Sequence, residues 1–303
     1  WKELKVNPVK KPGISEYFDE YATEINDLRG YDLPVSAFLK GDLLKGSMEA
    51  NTTYNEKRNI ATEVPHWHPD YCIQCGNCVI VCPHATIRAF LPTDEEVAAA
   101  PEAGREVIKA MGPGMAEYKY RIQVSPDNCV GCGLCVSECP GKKDLATGLV
   151  KKALSMEDVK GEMEQSPVAD YYYGQVPYRT PMNTNTVKGA SFLKPYFEVS
   201  GSCAGCGETP YYRLISQLFG RDLLIGNATG CSSIYCGSTP STPFVKDENG
   251  QGPAWANSLF EDNAEYAYGM RVATDIKLAE ICQIIKDNID NCEEELQELL
   301  KKY

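Results

Sequence analysis

The sequence predicts an α+β domain built around bound metal, followed by a separate α/β domain, and three observations lead there. Fourteen cysteines are present in 303 residues, and eight of them repeat one spacing twice: Cys72, Cys75, Cys78 and Cys82 before Pro83, then Cys129, Cys132, Cys135 and Cys139 before Pro140. Short strand-like runs, Thr86 to Phe90 and Tyr120 to Val124, stand beside these cysteines. From Ser191 onward the pattern changes to strand, helix and strand, over Phe197 to Val199, Tyr211 to Phe219 and Leu223 to Ile225, the succession of a parallel sheet.

In chain order, residues 1–62 form a turn-rich connecting segment, because Pro8, Pro12, Gly13, Gly30, Pro34, Gly41 and Gly46 interrupt every longer periodic stretch. Residues 63–150 hold the cysteine repeat, with an acidic and then Ala-rich insertion, Thr93 to Met111, read as a helix between the halves. Residues 151–190, rich in Tyr, Pro, Asn and Thr, read as a linker lying over another surface. Residues 191–303 make the second domain. Its end, from about Asn263, is helical with Leu278, Ile281, Ile285, Ile289, Cys292, Leu296 and Leu299 or Leu300 on one stripe, so Cys282 and Cys292 are expected as buried thiols.

Composition narrows the function. Lys and Arg total 30 against 42 Asp and Glu, a net charge of -12, which argues against binding nucleic acid by charge. No apolar run approaches the roughly 18 residues of a membrane span, and no apolar stretch of a secretory signal follows the Lys-rich start. The first residue is Trp, and a segment of a longer protein is expected.

The spacing C-x2-C-x2-C-x3-C-P is the ferredoxin signature, in which three thiolates hold one 4Fe-4S cube and the fourth reaches the other cube. Cys72, Cys75, Cys78 and Cys139 are therefore assigned to one cluster, and Cys129, Cys132, Cys135 and Cys82 to the other. Gly76, Gly131 and Gly133 sit inside the loops, where a residue without Cβ lets backbone N–H groups turn toward cluster sulfur. Two zinc sites are the alternative, but a third Cys at the same short interval, twice followed by Pro, departs from paired C-x2-C knuckles. His66, His68 and His84 flank the first run without replacing a cysteine, and read as surface or packing residues.

A third set consists of Cys203 and Cys206 in GSCAGCGETP and Cys231 in GNATGCSSIYC. Taken alone it fits a redox dithiol, zinc or iron–sulfur chemistry; beside eight cluster cysteines, a third 4Fe-4S site is the economical reading. These motifs, with Glu56, Lys57 and Arg58, with RIQVSP at Arg121 to Pro126 and with GPAWANSLFEDNAEYAYGM at Gly252 to Met270, closely resemble pyruvate:ferredoxin (flavodoxin) oxidoreductase over most of the chain. The resemblance implies an α+β two-cluster ferredoxin-like domain followed by the first part of an α/β thiamine-diphosphate-binding domain. It also implies that Cys203, Cys206 and Cys231 bind a proximal cluster and that Glu208 and Cys231 border the thiamine. The family's GDG-type Mg2+ and diphosphate motif does not occur before Tyr303. The fourth proximal ligand is expected from outside this segment, with Cys236 as a bystander or a substitute.

What the resemblance implies for function is the electron-transfer part of an enzyme that oxidatively decarboxylates pyruvate with coenzyme A to acetyl-CoA and CO2. Its cofactors would be three 4Fe-4S clusters, with thiamine diphosphate and Mg2+ held together with the remaining domains. Electrons would pass to ferredoxin or flavodoxin, with Lys142 and Lys143 placed to meet an acidic acceptor. No catalytic side chain is assigned within the chain. A homodimer without nucleic acid or membrane contacts is expected, in the cytoplasm or in a hydrogenosome-like organelle. The rivals are a non-catalytic two-cluster electron-transfer adaptor, an enzyme acting on another 2-oxoacid and a fusion passing electrons to NADP.

Overall fold

A computed structural model describes residues 17–238 and 240–301; the breakers at Pro8, Pro12 and Gly13, and Tyr303, lie outside them. Residues 17–62 include the single turn α1 (Thr23–Asn26) and several 3-10 turns, the last over Thr53–Glu56. Then follow β1 (Glu63–Trp67), α2 (Asn77–Val81), β2 (Ile87–Phe90), α3 (Asp94–Ala99), β3 (Ile108–Lys109), β4 (Lys119–Val124) and α4 (Leu134–Ser137). β4 is the centre of an antiparallel sheet in the order β2-β4-β3, with Ile87 opposite Val124 and Ile108 opposite Tyr120.

All four residues of β2 are buried, because the sheet is covered on both faces. Successive side chains point to opposite faces. Ile87 and Ala89 join the core behind the cysteine loops with Trp67, Val79, Tyr120, Ile122 and Phe192, whereas Phe90 joins a second core with Ala100, Val168, Tyr172 and Val176. The expected linker supplies that second layer. Residues 151–190 contain β7 (Leu154–Asp158), which pairs antiparallel with β1, then α5 (Val159–Glu162) and α6 (Gln165–Gln175), whose Val168, Ala169 and Tyr172 are buried. Three consecutive tyrosines, Tyr171 to Tyr173, read as irregular chain in the sequence, yet their hydroxyls reach the carbonyl oxygens of Glu96, Gly104 and Thr86. Before β7 the chain turns through the small hairpin of β5 (Lys142–Lys143) and β6 (Val150–Lys151).

The expected long helix over Thr93 to Met111 is only the six residues of α3. It starts at a capping box between Thr93 and Glu96 and stops where Pro101 cannot continue the ladder. A 3-10 turn and β3 occupy the rest.

After α7 (Val187–Ala190), the helix α8 (Thr209–Phe219) forms as read. Phe197 to Val199 does not form a strand of a parallel sheet; it contributes one antiparallel bridge, Phe197 to Phe244. Contacts divide the chain into two units, the first running to Leu223 and again over Ile234–Pro253, the second comprising Leu224–Ser233 and Ala254–Tyr303. Residues 191–223 thus pack with the cysteine repeat. Within the second unit β8 (Leu224–Asn227) pairs in parallel with β9 (Ala254–Asn257). The short helix α9 (Cys231–Cys236) lies between them in sequence, and α10 (Asn263–Asn288) and α11 (Glu294–Leu300) end the described chain.

The C-terminal helix is broken at Ile289–Asn291, and none of the residues in α10 is buried. Cys282 is exposed and Cys292 is half-buried, which corrects the expectation of two buried thiols: the apolar stripe through Leu278 and Ile281 faces outward in this unit. Among the described residues, no helix is long and apolar enough to cross a membrane.

Candidate functional site

Each four-cysteine run folds as a loop ending in one short helical turn, and glycine makes both loops possible. Gly76 enters α2 at φ +82°, Gly133 enters α4 at φ +73° and Gly131 turns at φ +68°, all in the left-handed region that L side chains avoid. Gly131 N–H donates to Cys129 Sγ at 3.5 Å, and Ala153 N–H donates to Cys139 Sγ at 3.3 Å. Gln74 also adopts positive φ; buried, it binds Lys109 O at 2.8 Å and accepts from Met111 N–H at 2.9 Å, tying the first loop to β3.

The loops exchange their last cysteines. Cys72, Cys75, Cys78 and Cys139 line one cavity, closed by Trp67, Tyr120, Ile122 and Leu154. Cys82, from the first run, acts on Cys129 and Cys135 of the second. Cys78 and Cys135 adjoin where α2 packs on α4. Among the described residues no three His, Cys, Asp or Glu side chains close around a single-ion site.

Electrostatics explains what such sets can hold. Burial pushes the Cys129 thiol up to about 12, and pushes Cys72, Cys78 and Cys135 up as well, with neighbouring cysteines adding to the rise in each. Thiols whose anions are desolvated and repel one another become thiolates only around bound cations. The indole N–H of Trp67 is buried and acts on Cys72 as a side-chain donor that opposes the rise of its thiol, as a donor to cluster sulfur would. Donor type and donors to sulfur therefore fit a polynuclear iron–sulfur group in each set, and the set of Cys72, Cys75, Cys78 and Cys139 also encloses a cavity.

The third set is distributed. Cys203, exposed, and Cys206, half-buried, belong to the first unit; Cys231, exposed, belongs to the second. The Cys203–Cys206 loop lies against the second run: a Cβ built on Gly205 would stand 3.9 Å from Cys132 Cβ. Buried His84 binds the same loop through Nε2, 3.1 Å from Ser202 O, so it packs as the sequence reading proposed. His66 and His68 are half-buried and bond Glu162 and Ser155. Glu208 is exposed ahead of α8, and Cys236 is buried beside Glu208, with burial raising its thiol pKa.

Sequence reasoning picked out Lys57 and Arg58 only as part of a motif and missed Lys152 and Arg213; all four are clamps that position these loops. Lys57 pairs with Asp127 and Asp170 and lies over the Tyr54 ring, and Arg58 donates to Ser200 O at 2.8 Å. Lys152 donates to the carbonyls of Val136 and Ser137 at the end of α4. From α8, Arg213 reaches the carbonyls of Val79 and Ile80 on α2. Of the two missed, Arg213 left a readable sign: Thr209, Arg213, Ser216 and Gln217 are a polar stripe at helical spacing, and that stripe is the buried face of α8.

Residues 71–143 match the 4Fe-4S dicluster domain family. The chain is 44% identical over 278 residues to the pyruvate:ferredoxin oxidoreductase of Moorella thermoacetica, an alignment covering 91% of this chain and 22% of that protein. It is 46% identical over 257 residues to the pyruvate-flavodoxin oxidoreductase of Klebsiella pneumoniae, covering 85% and 21%. Against the pyruvate dehydrogenase [NADP(+)] of Cryptosporidium parvum it is 41% identical over 289 residues, covering 95% and 14%. The chain thus spans less than a quarter of the length of these relatives, and the resemblance read from its motifs holds along most of its own length.

Proposed function

We propose that this chain is the iron–sulfur segment of an oxidoreductase of the pyruvate:ferredoxin and pyruvate-flavodoxin type, and that its cysteines carry electrons away from the site of pyruvate decarboxylation. The observation carrying this reading is the exchange of the last cysteines between the two runs, with Cys139 in the cavity of Cys72, Cys75 and Cys78, and Cys82 acting on Cys129 and Cys135. Each set would hold one 4Fe-4S cube, and Cys203, Cys206 and Cys231 would supply three ligands of a third.

The placement of loops supports an order of transfer. The Cys203–Cys206 loop rests on Cys132, so electrons would pass first to the cube of Cys129, Cys132, Cys135 and Cys82, and then to that of Cys72, Cys75, Cys78 and Cys139. Pro140 and Gly141 line the latter cavity and lead directly into exposed Lys142 and Lys143 on β5. That edge offers cationic docking to an acidic ferredoxin or flavodoxin. Thiamine diphosphate with Mg2+, held with the rest of a longer enzyme, would supply the decarboxylation chemistry. Glu208 and Cys231, both exposed, would border it, and the parallel pair of β8 and β9 is consistent with the opening of an α/β thiamine-diphosphate domain. Pyruvate and coenzyme A are then substrates of the whole enzyme, a homodimer acting in the cytoplasm or a comparable reducing compartment.

Iron analysis of anaerobically prepared protein is expected to give about eight irons per chain for the two cubes and about twelve when the third is filled. In the longer enzyme, pyruvate with coenzyme A should bleach the iron–sulfur absorbance. A colourless or zinc-containing protein would refute the cubes. Iron-replete longer enzyme that bleaches with no 2-oxoacid would leave the electron-transfer adaptor instead.

A further inference from the structure

Arg213 has 1% of its surface exposed, the largest fully buried side chain among the described residues. Its two terminal nitrogens donate to Val79 O and Ile80 O on α2, while its Nε–H is equally buried and has no partner. A buried cation without a counter-charge is strongly unfavourable. Arg88, the other cation nearby, is compensated by Glu198; the ionisable groups acting on Arg213 are Cys82, Arg88 and Cys78, with no carboxylate among them. Burial pulls its pKa down to about 10, with Cys82 and Cys78 opposing that fall, so the guanidinium is charged at neutral pH.

Its position gives the missing counter-charge a source. Val79 and Ile80 lie between Cys78, which belongs to one four-thiol set, and Cys82, which belongs to the other. We propose that Arg213 is a positioning residue shared by both cubes, which holds α2 by its backbone carbonyls and whose fixed charge raises both reduction potentials. The proposal rests on the reading of the two sets as 4Fe-4S sites. A cube carried on four thiolates is anionic and gains one more negative charge on reduction, so a buried cation beside it favours the reduced form. The same helix begins three residues after Cys206, so one side chain also ties the third cysteine loop to the first run.

Three variants of the anaerobically prepared protein test this: Arg213→Gln and Arg213→Met, which remove the charge, and Arg213→Lys, which keeps it. The readouts are iron per chain and potentiometric titration followed by electron paramagnetic resonance. At the effective dielectric of about 20 that suits buried sites, iron-replete Arg213→Gln or Arg213→Met should show a fall on the order of tenfold in the one-electron reduction constant of both cubes, about 59 mV. Arg213→Lys should retain most of the native value. Unmoved potentials in an iron-replete neutral variant would overturn the proposal. If the neutral variants fail to hold iron, Arg213→Lys decides: native iron and potentials support the charge, whereas loss of iron there too reduces Arg213 to a backbone clamp. Native protein lacking iron would refute the cluster reading itself rather than the role of Arg213.

Discussion

Replacing Glu198 by Gln should loosen the segment Phe197 to Val199 of the first unit by a calculable amount. Glu198 accepts from Arg88 with both side chains nearly buried, at 9% and 6% exposure. Arg88 also donates to Ala85 O at 2.8 Å and to the Tyr178 hydroxyl at 2.7 Å, and lies 4.0 Å over the Tyr173 ring. On its other side Glu198 joins three segments, since its N–H donates to Pro243 O and its carbonyl accepts from Thr53 Oγ1. Leaving one partner of a buried pair uncompensated costs about 3–5 kcal/mol, and the retained amide oxygen places Glu198→Gln at about 3. That corresponds to a roughly hundredfold rise in local opening. Hydrogen exchange at the amides of Glu198 and Val199, which donate to Pro243 O and His84 O, reads it directly. The double variant Arg88→Met with Glu198→Leu removes both charges and should recover most of the protection. Exchange unchanged within about threefold in Glu198→Gln, or a double variant as loose as the sum of its singles, would refute the reasoning.

Gly76→Ala and Gly133→Ala make a matched pair. Both force Ala to positive φ, a strain of about 1–2 kcal/mol, but a Cβ on Gly76 would stand 2.7 Å from Ser191 Oγ and 2.8 Å from Ser191 Cβ, while one on Gly133 meets nothing within 4 Å. Gly76→Ala should therefore lose iron to a chelator faster than Gly133→Ala; equal rates would contradict the packing. Gln74→Leu leaves Lys109 O and Met111 N–H without their partner, about 1–3 kcal/mol each, and should abolish exchange protection at Met111 while β4 stays protected. Lys142→Glu with Lys143→Glu should slow reduction of an acidic acceptor at low salt and converge with the native rate at high salt; a salt-independent defect would place docking elsewhere.

The crossing of the two cysteine runs was legible because the dicluster motif is written as a spacing along the chain, and Gly76, Gly131 and Gly133 announce turns that only glycine makes cheaply. What tertiary packing decides was not legible. Residues 154–175 carry weak periodicity because α6 packs its tyrosines through hydroxyls bound to distant carbonyls, which hydropathy does not register. Phe197 to Val199 has a strand's composition but pairs only at Phe197, since Glu198 and Val199 bond Pro243, Arg88 and His84 instead. The stripe on α10 is apolar and exposed in its unit, so periodicity identified the helix correctly and its burial wrongly. α8 shows the opposite case: its inner face is the polar one, and a hydropathy reading points it the wrong way round.

The central claim is that each cube borrows its fourth thiolate from the other run. Changing Cys72, Cys75 and Cys78 together to Ser should empty one site and leave about four irons in the other. Adding Cys82→Ser to that variant should then disturb the surviving cube, lowering its iron content or changing its resonance signal. If the remaining cluster stays unaltered when Cys82 is lost, each run holds its own metal and the crossed arrangement is wrong.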